Sequence, residues 1–490
     1  MWNWQAIGLV LGAILLVAGL AAFIISRFGK QDAADAWDAG FSDPDKTGLA
    51  GNPDGIYLGF SVDGPKRRKP RELRYKDDRH IMTFGPNGSG KSMRLLYENL
   101  LRLKNWSVCV VDPKGDLARL TLDKRKAMGS EVIVIDPFGV SGFASDGYNP
   151  IASLADGDEF PDDAMALAEA IIKAEGRDPH WASSAQDLIA ACIMHIRLND
   201  PVNGSFEGVR KILGSDNAGL KAHIVAMRAT AKAHEVPQLE AKAARYADIN
   251  ADSRELLSIL STALTQTRWL DSPAVVGDLK SHKRFRFGDL KEKPVTIYLV
   301  LPPNRISTHS AWLRLMVTAI LQPLLKDTKP AKMPVLLMLD EYPALAEGDG
   351  FPIIARNMAM FRGYGIKLWS VWQDINQALR IYGRHWESFA ANAGVLQAFQ
   401  PQDIPTAEYL SQRTGMTTRE TANWSFSGRQ PSFSGSQQGM PLMLPQAIRA
   451  IDPGYTLIFS HVAKGPVWAY LPFPDLKMNG AQSSPPPAGP

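Results

Sequence analysis

The run GPNGSGKS, from Gly85 to Ser92, sits between HIMTF, a short apolar stretch, and MRLLYENLLRL, whose apolar residues recur at helical spacing. Strand, glycine loop and helix in that order commit the chain to an α/β architecture with a parallel sheet. Gly85, Gly90, Lys91 and Ser92 meet the GxxxxGK[ST] pattern, with Pro86, Asn87, Gly88 and Ser89 completing the loop. The glycines allow backbone N–H groups to curl around phosphates at a helix N-terminus, where the dipole favours negative charge. Lys91 is expected to reach the β- and γ-phosphates and the Ser92 hydroxyl to ligate Mg2+, so ATP with Mg2+ is the expected cofactor.

Hydrolysis at such a loop also needs an acidic strand end. WSVCVVDPKGDL offers Asp112, and MPVLLMLDEYPAL offers Asp340 and Glu341. The second suits the role better, because the five apolar residues from Val335 to Leu339 fit a central strand buried on both faces. Asp340 would hold the metal through its water shell and Glu341 would act as general base. An Asp-Glu pair at a strand end serves equally well as a turn or a helix cap. Lys91 and Asp340 are 340 − 91 = 249 residues apart, so something is inserted between them. Residues 151 to 279 read as mostly helix, and strand-like sequence returns with PVTIYLVLP at Pro294.

From Ala6 to Ile25 twenty residues pass without a charge, about 30 Å of helix and one bilayer core. MWNWQ before it has no basic residue, unlike a secretory leader, while Arg27 and Lys30 follow. That bias predicts a single-pass anchor with the long C-terminal part in the cytoplasm. Residues 28 to 75 read as a juxtamembrane tether, and its PKRRKPRELR run, with six basic residues against one Glu, suits anionic lipid or DNA. Hydrophobic residues at 45% and charged residues at 21% exclude disorder and collagen, and a net charge of +4 permits a nucleic-acid partner without requiring one. Cys109 and Cys192 lie in apolar runs without metal-ligand spacing and read as core.

HIMTFGPNGSGKS, VVDPKGDL, VIVIDPFG with YNP, DPHW, VTIYLVLPP, LDEYPAL, FRGYGIKLWSVWQDINQALRIYG and PTAEYLSQRTG follow one another over residues 57 to 475. In this order they resemble the TraG/VirD-type coupling ATPases of type IV secretion and conjugation. The resemblance implies a RecA-like P-loop nucleotide-binding domain interrupted by an all-α domain, and the Ala6–Ile25 segment places one N-terminal transmembrane helix before it. The expected layout is anchor 1–27, tether 28–75, nucleotide-binding domain 76–180 with 280–475, substrate-facing helical domain 181–279 and disordered Pro-rich tail 476–490. It also implies a homo-hexamer with ATP at subunit interfaces, Lys91 and Ser92 as Walker A residues, and Asp340 and Glu341 as the Walker B pair. Gln373 is implied as a γ-phosphate or DNA-coupling sensor and Arg362 as an arginine finger for the neighbouring site, although Arg362 could simply pair with a carboxylate and Gln373 simply end a strand. No role is assigned to Lys114, Arg384 or His385.

The implied activity is recruitment of relaxase–DNA complexes or protein effectors and their delivery to the secretion channel by ATP hydrolysis. An FtsK/HerA-type DNA translocase and a docking receptor with little motor activity are the alternatives. Ten Lys/Arg against eleven Asp/Glu between residues 181 and 279 give that segment no basic excess for nucleic acid. The family usually carries two membrane helices, whereas one is legible here, and residues 424 to 440 read as a flexible polar loop.

Overall fold

The computed structural model describes residues 39–62, 70–173, 180–247, 253–283, 285–346, 350–427 and 430–474. The Ala6–Ile25 segment, the basic run from Lys66 to Lys69 and the tail 476–490 lie outside the described residues. Among the described residues no helix is long and apolar enough to cross a membrane.

The strands are β1 (Ile56–Ser61), β2 (Glu72–Tyr75), β3 (His80–Phe84), β4 (Ser107–Val111), β5 (Glu131–Ile135), β6 (Val295–Leu299), β7 (Val335–Leu339), β8 (Ile366–Trp372), β9 (Ala393–Ala398), β10 (Met416–Ser427), β11 (Gln430–Pro441), β12 (Tyr455–Ser460) and β13 (Val467–Tyr470). All but β10 and β11 form one sheet in the order β2-β1-β13-β12-β9-β3-β8-β7-β4-β6-β5. From β9 to β5 every pairing is parallel, and β12, β13, β1 and β2 extend the sheet antiparallel. SVCVV, VTIYL, VLLML and IKLWSVW are buried along their whole length, as unbroken apolar runs should be in a sheet covered on both faces. Alternate residues feed two separate cores: Cys109, Val111, Leu337 and Leu339 join one, and Val108, Val110, Leu336 and Met338 the other. Both cysteines are free and buried, and burial pushes each thiol up to about 12.

Between β5 and β6 the chain leaves the sheet and builds helices Phe160–Ile171, His180–Asn199, Phe206–Leu213, Asn217–Ala233, Pro237–Ala247, Arg254–Gln266 and Pro273–Asp278. Asp216 and Ser253 cap two of them, accepting from Gly219 N and Leu256 N. The helix His180–Asn199 buries Leu188, Ile189, Cys192 and Ile193 among its neighbours.

Two expectations need correction. The stretch taken as tether contributes two strands, because IYLGFS and ELRY supply the pairing that extends the sheet beyond β13. The stretch taken as a flexible polar loop is regular: β10 and β11 pair antiparallel from Met416↔Pro441 to Ser427↔Gln430. This hairpin, at whose base Ala39 N donates to Met416 O at 2.9 Å, belongs to a compact unit of its own.

Candidate nucleotide site

β3 delivers the glycine loop at its C-terminal end. Gly88 and Gly90 have φ of +81° and +85°, the left-handed region that L side chains rarely adopt. A Cβ on Gly90 would stand 2.8 Å from Arg94 Nε, and one on Gly85 2.9 Å from Ser89 Oγ and 3.2 Å from the Phe399 ring. The loop is therefore held open by residues that must lack side chains. Lys91 opens a helical stretch that begins as π-helix over Lys91–Tyr97 and continues as α-helix over Glu98–Arg102.

The sheet order brings the other two motifs alongside. β8 lies between β3 and β7, so residues just past the C-terminal ends of three adjacent parallel strands converge. Ser92 Oγ donates to Asp340 Oδ2 at 2.7 Å, Lys91 Nζ stands 3.9 Å from Glu341 Oε1, and Gln373 Nε2 donates to Glu341 Oε2 at 3.1 Å. Glu341 holds φ +59°, one of two non-glycine residues with positive φ among those described. A left-handed conformation there costs about 1–2 kcal/mol, and strain of this kind collects at functional sites. Its effect is to turn the Glu341 carboxylate toward both Lys91 and Gln373.

Asp340 is 7% exposed, and Oδ1 has no hydrogen-bond partner among the described residues. Burial raises its carboxyl above the usual range, against the lowering by the Ser92 bond and Lys91, and Glu341 pushes it up further. A buried carboxylate oxygen without a partner, beside a serine hydroxyl and a glycine cradle, suits a cation held between protein and phosphate oxygens. No cluster of three or more His, Cys, Asp or Glu that could bind a metal occurs among the described residues, so these ligands would come from Ser92, Asp340 and the nucleotide. The residues present fit a magnesium nucleotide.

Asp112, the other acidic strand end, directly follows β4, which neighbours β7, and accepts from Ala118 N at 2.8 Å. Burial is the main force pushing its carboxyl up to about 6, and Asp340 adds to it. A hydroxyl pair behind the site carried no separate signal in the sequence: Tyr342 and Tyr382 bond at 2.7 Å, and Phe351 N donates to Tyr382 Oη at 3.0 Å. Tyr342 follows Glu341 directly and packs near Trp372, which precedes Gln373, with centroids 4.9 Å apart. Only the IYG run, already part of the resemblance, marked Tyr382.

Arg362 does not join this cluster. It precedes β8 at the N-terminal end of the strand, whereas Gln373 follows its C-terminal end. Seven residues of strand separate the two positions by about 20 Å. The Arg362 guanidinium pairs with Asp78 at 3.1 Å, both half exposed. Lys114, Arg384 and His385 are exposed, and no described contact ties them to Lys91, Glu341 or Gln373.

A family model described as type IV secretory system conjugative DNA transfer matches residues 46–464. A conjugal transfer protein TraG of Escherichia coli is 30% identical over 406 residues, covering 77% of this chain and 61% of that protein. VirD4 of Agrobacterium fabrum is 25% identical over 77% of this chain and 56% of its own length. The chain thus spans about three fifths of the length of these curated relatives. Among solved structures, the conjugative coupling protein TrwBdeltaN70 aligns with TM-score 0.63 at 17% identity, over 87% of this chain and 96% of that one. TrwB in complex with the ATP analogue ADPNP aligns with TM-score 0.61 at 16% identity, over 87% and 97%. At those identities the structural likeness speaks for the fold. With the family match covering most of the chain and all three converging motifs, the chain belongs to the type IV secretory system conjugative DNA transfer family.

Proposed function

We propose that the protein is a coupling ATPase, anchored in a bacterial inner membrane by Ala6–Ile25, that uses ATP and Mg2+ to deliver relaxase–DNA complexes or protein effectors to a type IV secretion channel. The observation that carries the enzymatic part is the meeting of Ser92, Asp340, Lys91, Glu341 and Gln373 across three adjacent strands. The chemistry a bound Mg2+ would supply is positive charge against the phosphoryl group being transferred. Ser92 and Asp340 would hold the ion, their present hydrogen bond giving way to coordination. Lys91, drawn to the phosphates, leaves Glu341 Oε1 free to take a proton from the attacking water. Gln373 holds Glu341 Oε2, so the strand carrying the sensor positions the base.

Arg362 cannot reach its own site along β8, and in this proposal it acts on the site of the next subunit in a hexamer. Its exposed ion pair with Asp78 is worth at most about 1 kcal/mol and is readily exchanged for a phosphate. An arginine supplied in trans contributes about 10³- to 10⁵-fold in rate where it has been dissected.

Transfer of a mobilisable plasmid by cells carrying Lys91→Ala tests the motor role. The proposal expects transfer to be abolished at normal protein level. Full transfer by that variant would leave a docking receptor as the better account.

A further inference from the structure

Arg362 directly follows the helix Pro352–Phe361, ten residues and about 15 Å long. Both ends of this helix are held by elements that carry the chain's own nucleotide site. At the N-terminal end, the Phe351 amide donates to Tyr382 Oη at 3.0 Å, and Tyr382 Oη bonds Tyr342 Oη at 2.7 Å. The first amides of a helix have no partner inside it, so this bond fixes where the helix begins. Tyr342 is fully buried and follows Glu341 directly. Tyr382 ends the helix Ile375–Tyr382, which starts two residues after Gln373. Asp374 caps that helix, accepting from Gln377 N at 2.9 Å, and Gln377 Oε1 accepts from Gln373 N at 3.0 Å.

With the bond from Gln373 Nε2 to Glu341, the hydroxyl pair closes a ring through Glu341, Tyr342, Tyr382 and Gln373. Tyr382 has little room to move: a Cβ on Gly350, at φ +82°, would stand 2.5 Å from its ring, and the Phe389 ring lies 4.9 Å away. At the C-terminal end of the helix, His80 Nδ1 accepts from Leu368 N at 3.2 Å. A neutral imidazole has one donor and one acceptor, which makes Nε2 the donor to Met358 O at 2.6 Å. Burial holds the ring below the usual imidazole range, in keeping with this neutral form. The same ring meets fully buried Phe361 edge-on, with centroids 6.0 Å apart. His80 opens β3, the strand that ends in the glycine loop.

We infer that the hydroxyl pair of Tyr342 and Tyr382 is a positioning device that sets the helix Pro352–Phe361 from the chain's own site and so presents Arg362 to the site of the next subunit. The inference rests on the proposed trans role of Arg362. Neither tyrosine is a catalytic residue: they act through Glu341 and Gln373 on one side and through Phe351 on the other. Arg362 itself is half exposed and paired with Asp78, so its aim is set by the buried helix behind it. A misplacement of about 1 Å in a positioned group can cost about 100-fold in rate, which makes a firm mounting for the arginine worth two buried hydroxyls. When Lys91 turns to the phosphates, Glu341 loses one of its two described partners, and the ring gives that change a route to the helix through rigid, packed elements.

The test uses the full chain in detergent and reads the arginine apart from its own site. Glu341→Gln subunits, which lack the base, donate Arg362 to Arg362→Ala subunits, whose acid is intact. The recovered ATP turnover is compared with that given by Tyr382→Phe/Glu341→Gln and Tyr342→Phe/Glu341→Gln donors. The inference expects Tyr382→Phe in the donor to cut the recovered kcat about tenfold, the weight of one or two buried hydrogen bonds. The KM for ATP should not change, because the glycine loop in use belongs to the Arg362→Ala subunit. Tyr342→Phe, which keeps the bond to Phe351, should cut kcat by less. Nucleotide binding by each donor and subunit exchange by energy transfer verify fold and assembly; if Tyr382→Phe fails either, the Tyr342→Phe donor decides. Equal recovery with the tyrosine-intact and tyrosine-substituted donors would overturn the inference and leave Arg362 its trans role. A raised KM with kcat unchanged would also overturn it, since the tyrosines would then act on binding. No recovery even from Glu341→Gln donors, with exchange demonstrated, would remove the trans role and the inference with it.

Discussion

Replacing Asp112 by asparagine should stabilise the chain at alkaline pH. Asp112 is 3% exposed, its carboxyl is pushed up from 3.8 to about 6 mainly by burial, and the amides of Ala118 and Lys114 offset only part of this. Raising the carboxyl from 3.8 to about 6 corresponds to about 3 kcal/mol of penalty on the ionised form. Because the folded-state value is the higher one, stability tied to this proton is fully present below pH 3.8 and lost as pH rises through about 6. The asparagine side chain would keep the acceptor for Ala118 N and lose the one facing Lys114, at a cost of about 1 kcal/mol. The net gain is then about 2 kcal/mol at pH 8 and about zero near pH 4.5. Urea unfolding of the full chain in detergent, followed by tryptophan fluorescence at both pH values, measures it. A variant less stable than wild type at pH 8, or a difference independent of pH, would refute the assignment of burial as the dominant force on this carboxyl.

Glu341→Gly and Glu341→Ala should both abolish turnover but differ in stability, because only glycine relieves the left-handed backbone at φ +59°. The glycine variant should be the more stable by about 1 kcal/mol in the same urea assay; equal or reversed stabilities would mean the conformation is not strained. Mixing Arg362→Ala subunits with Glu341→Gln subunits should restore some ATP turnover, since some interfaces then pair an intact acid with an intact arginine. With subunit exchange demonstrated by energy transfer, a flat zero across mixing ratios would remove Arg362 from the neighbour's site.

Much of the site was legible because its chemistry is carried by local patterns. The glycine loop, the acidic pair after a five-residue apolar strand and the Gln ending IKLWSVWQ each sit at a strand end, and parallel pairing of β3, β8 and β7 does the rest. The strand order that places β8 between the other two is a long-range property and left no mark in composition. β1 and β2 were hidden by the acidic, turn-rich sequence before them and the basic run between them, which read as a continuous tether. The β10–β11 hairpin was missed because strand signals rest on apolar alternation, and TTRETANWSFS opposite QPSFSGSQQGMP is dominated by Ser, Thr, Gln and Gly.

The central claim is that the converging residues of β3, β7 and β8 hydrolyse ATP in an assembly that responds to DNA. Steady-state hydrolysis by the full chain in detergent, with and without single- and double-stranded DNA, over a range of protein concentrations and with Lys91→Ala as control, tests it directly. The account predicts Lys91-dependent turnover that rises with both DNA and protein concentration. Turnover that survives Lys91→Ala, or that ignores both DNA and concentration, would contradict it.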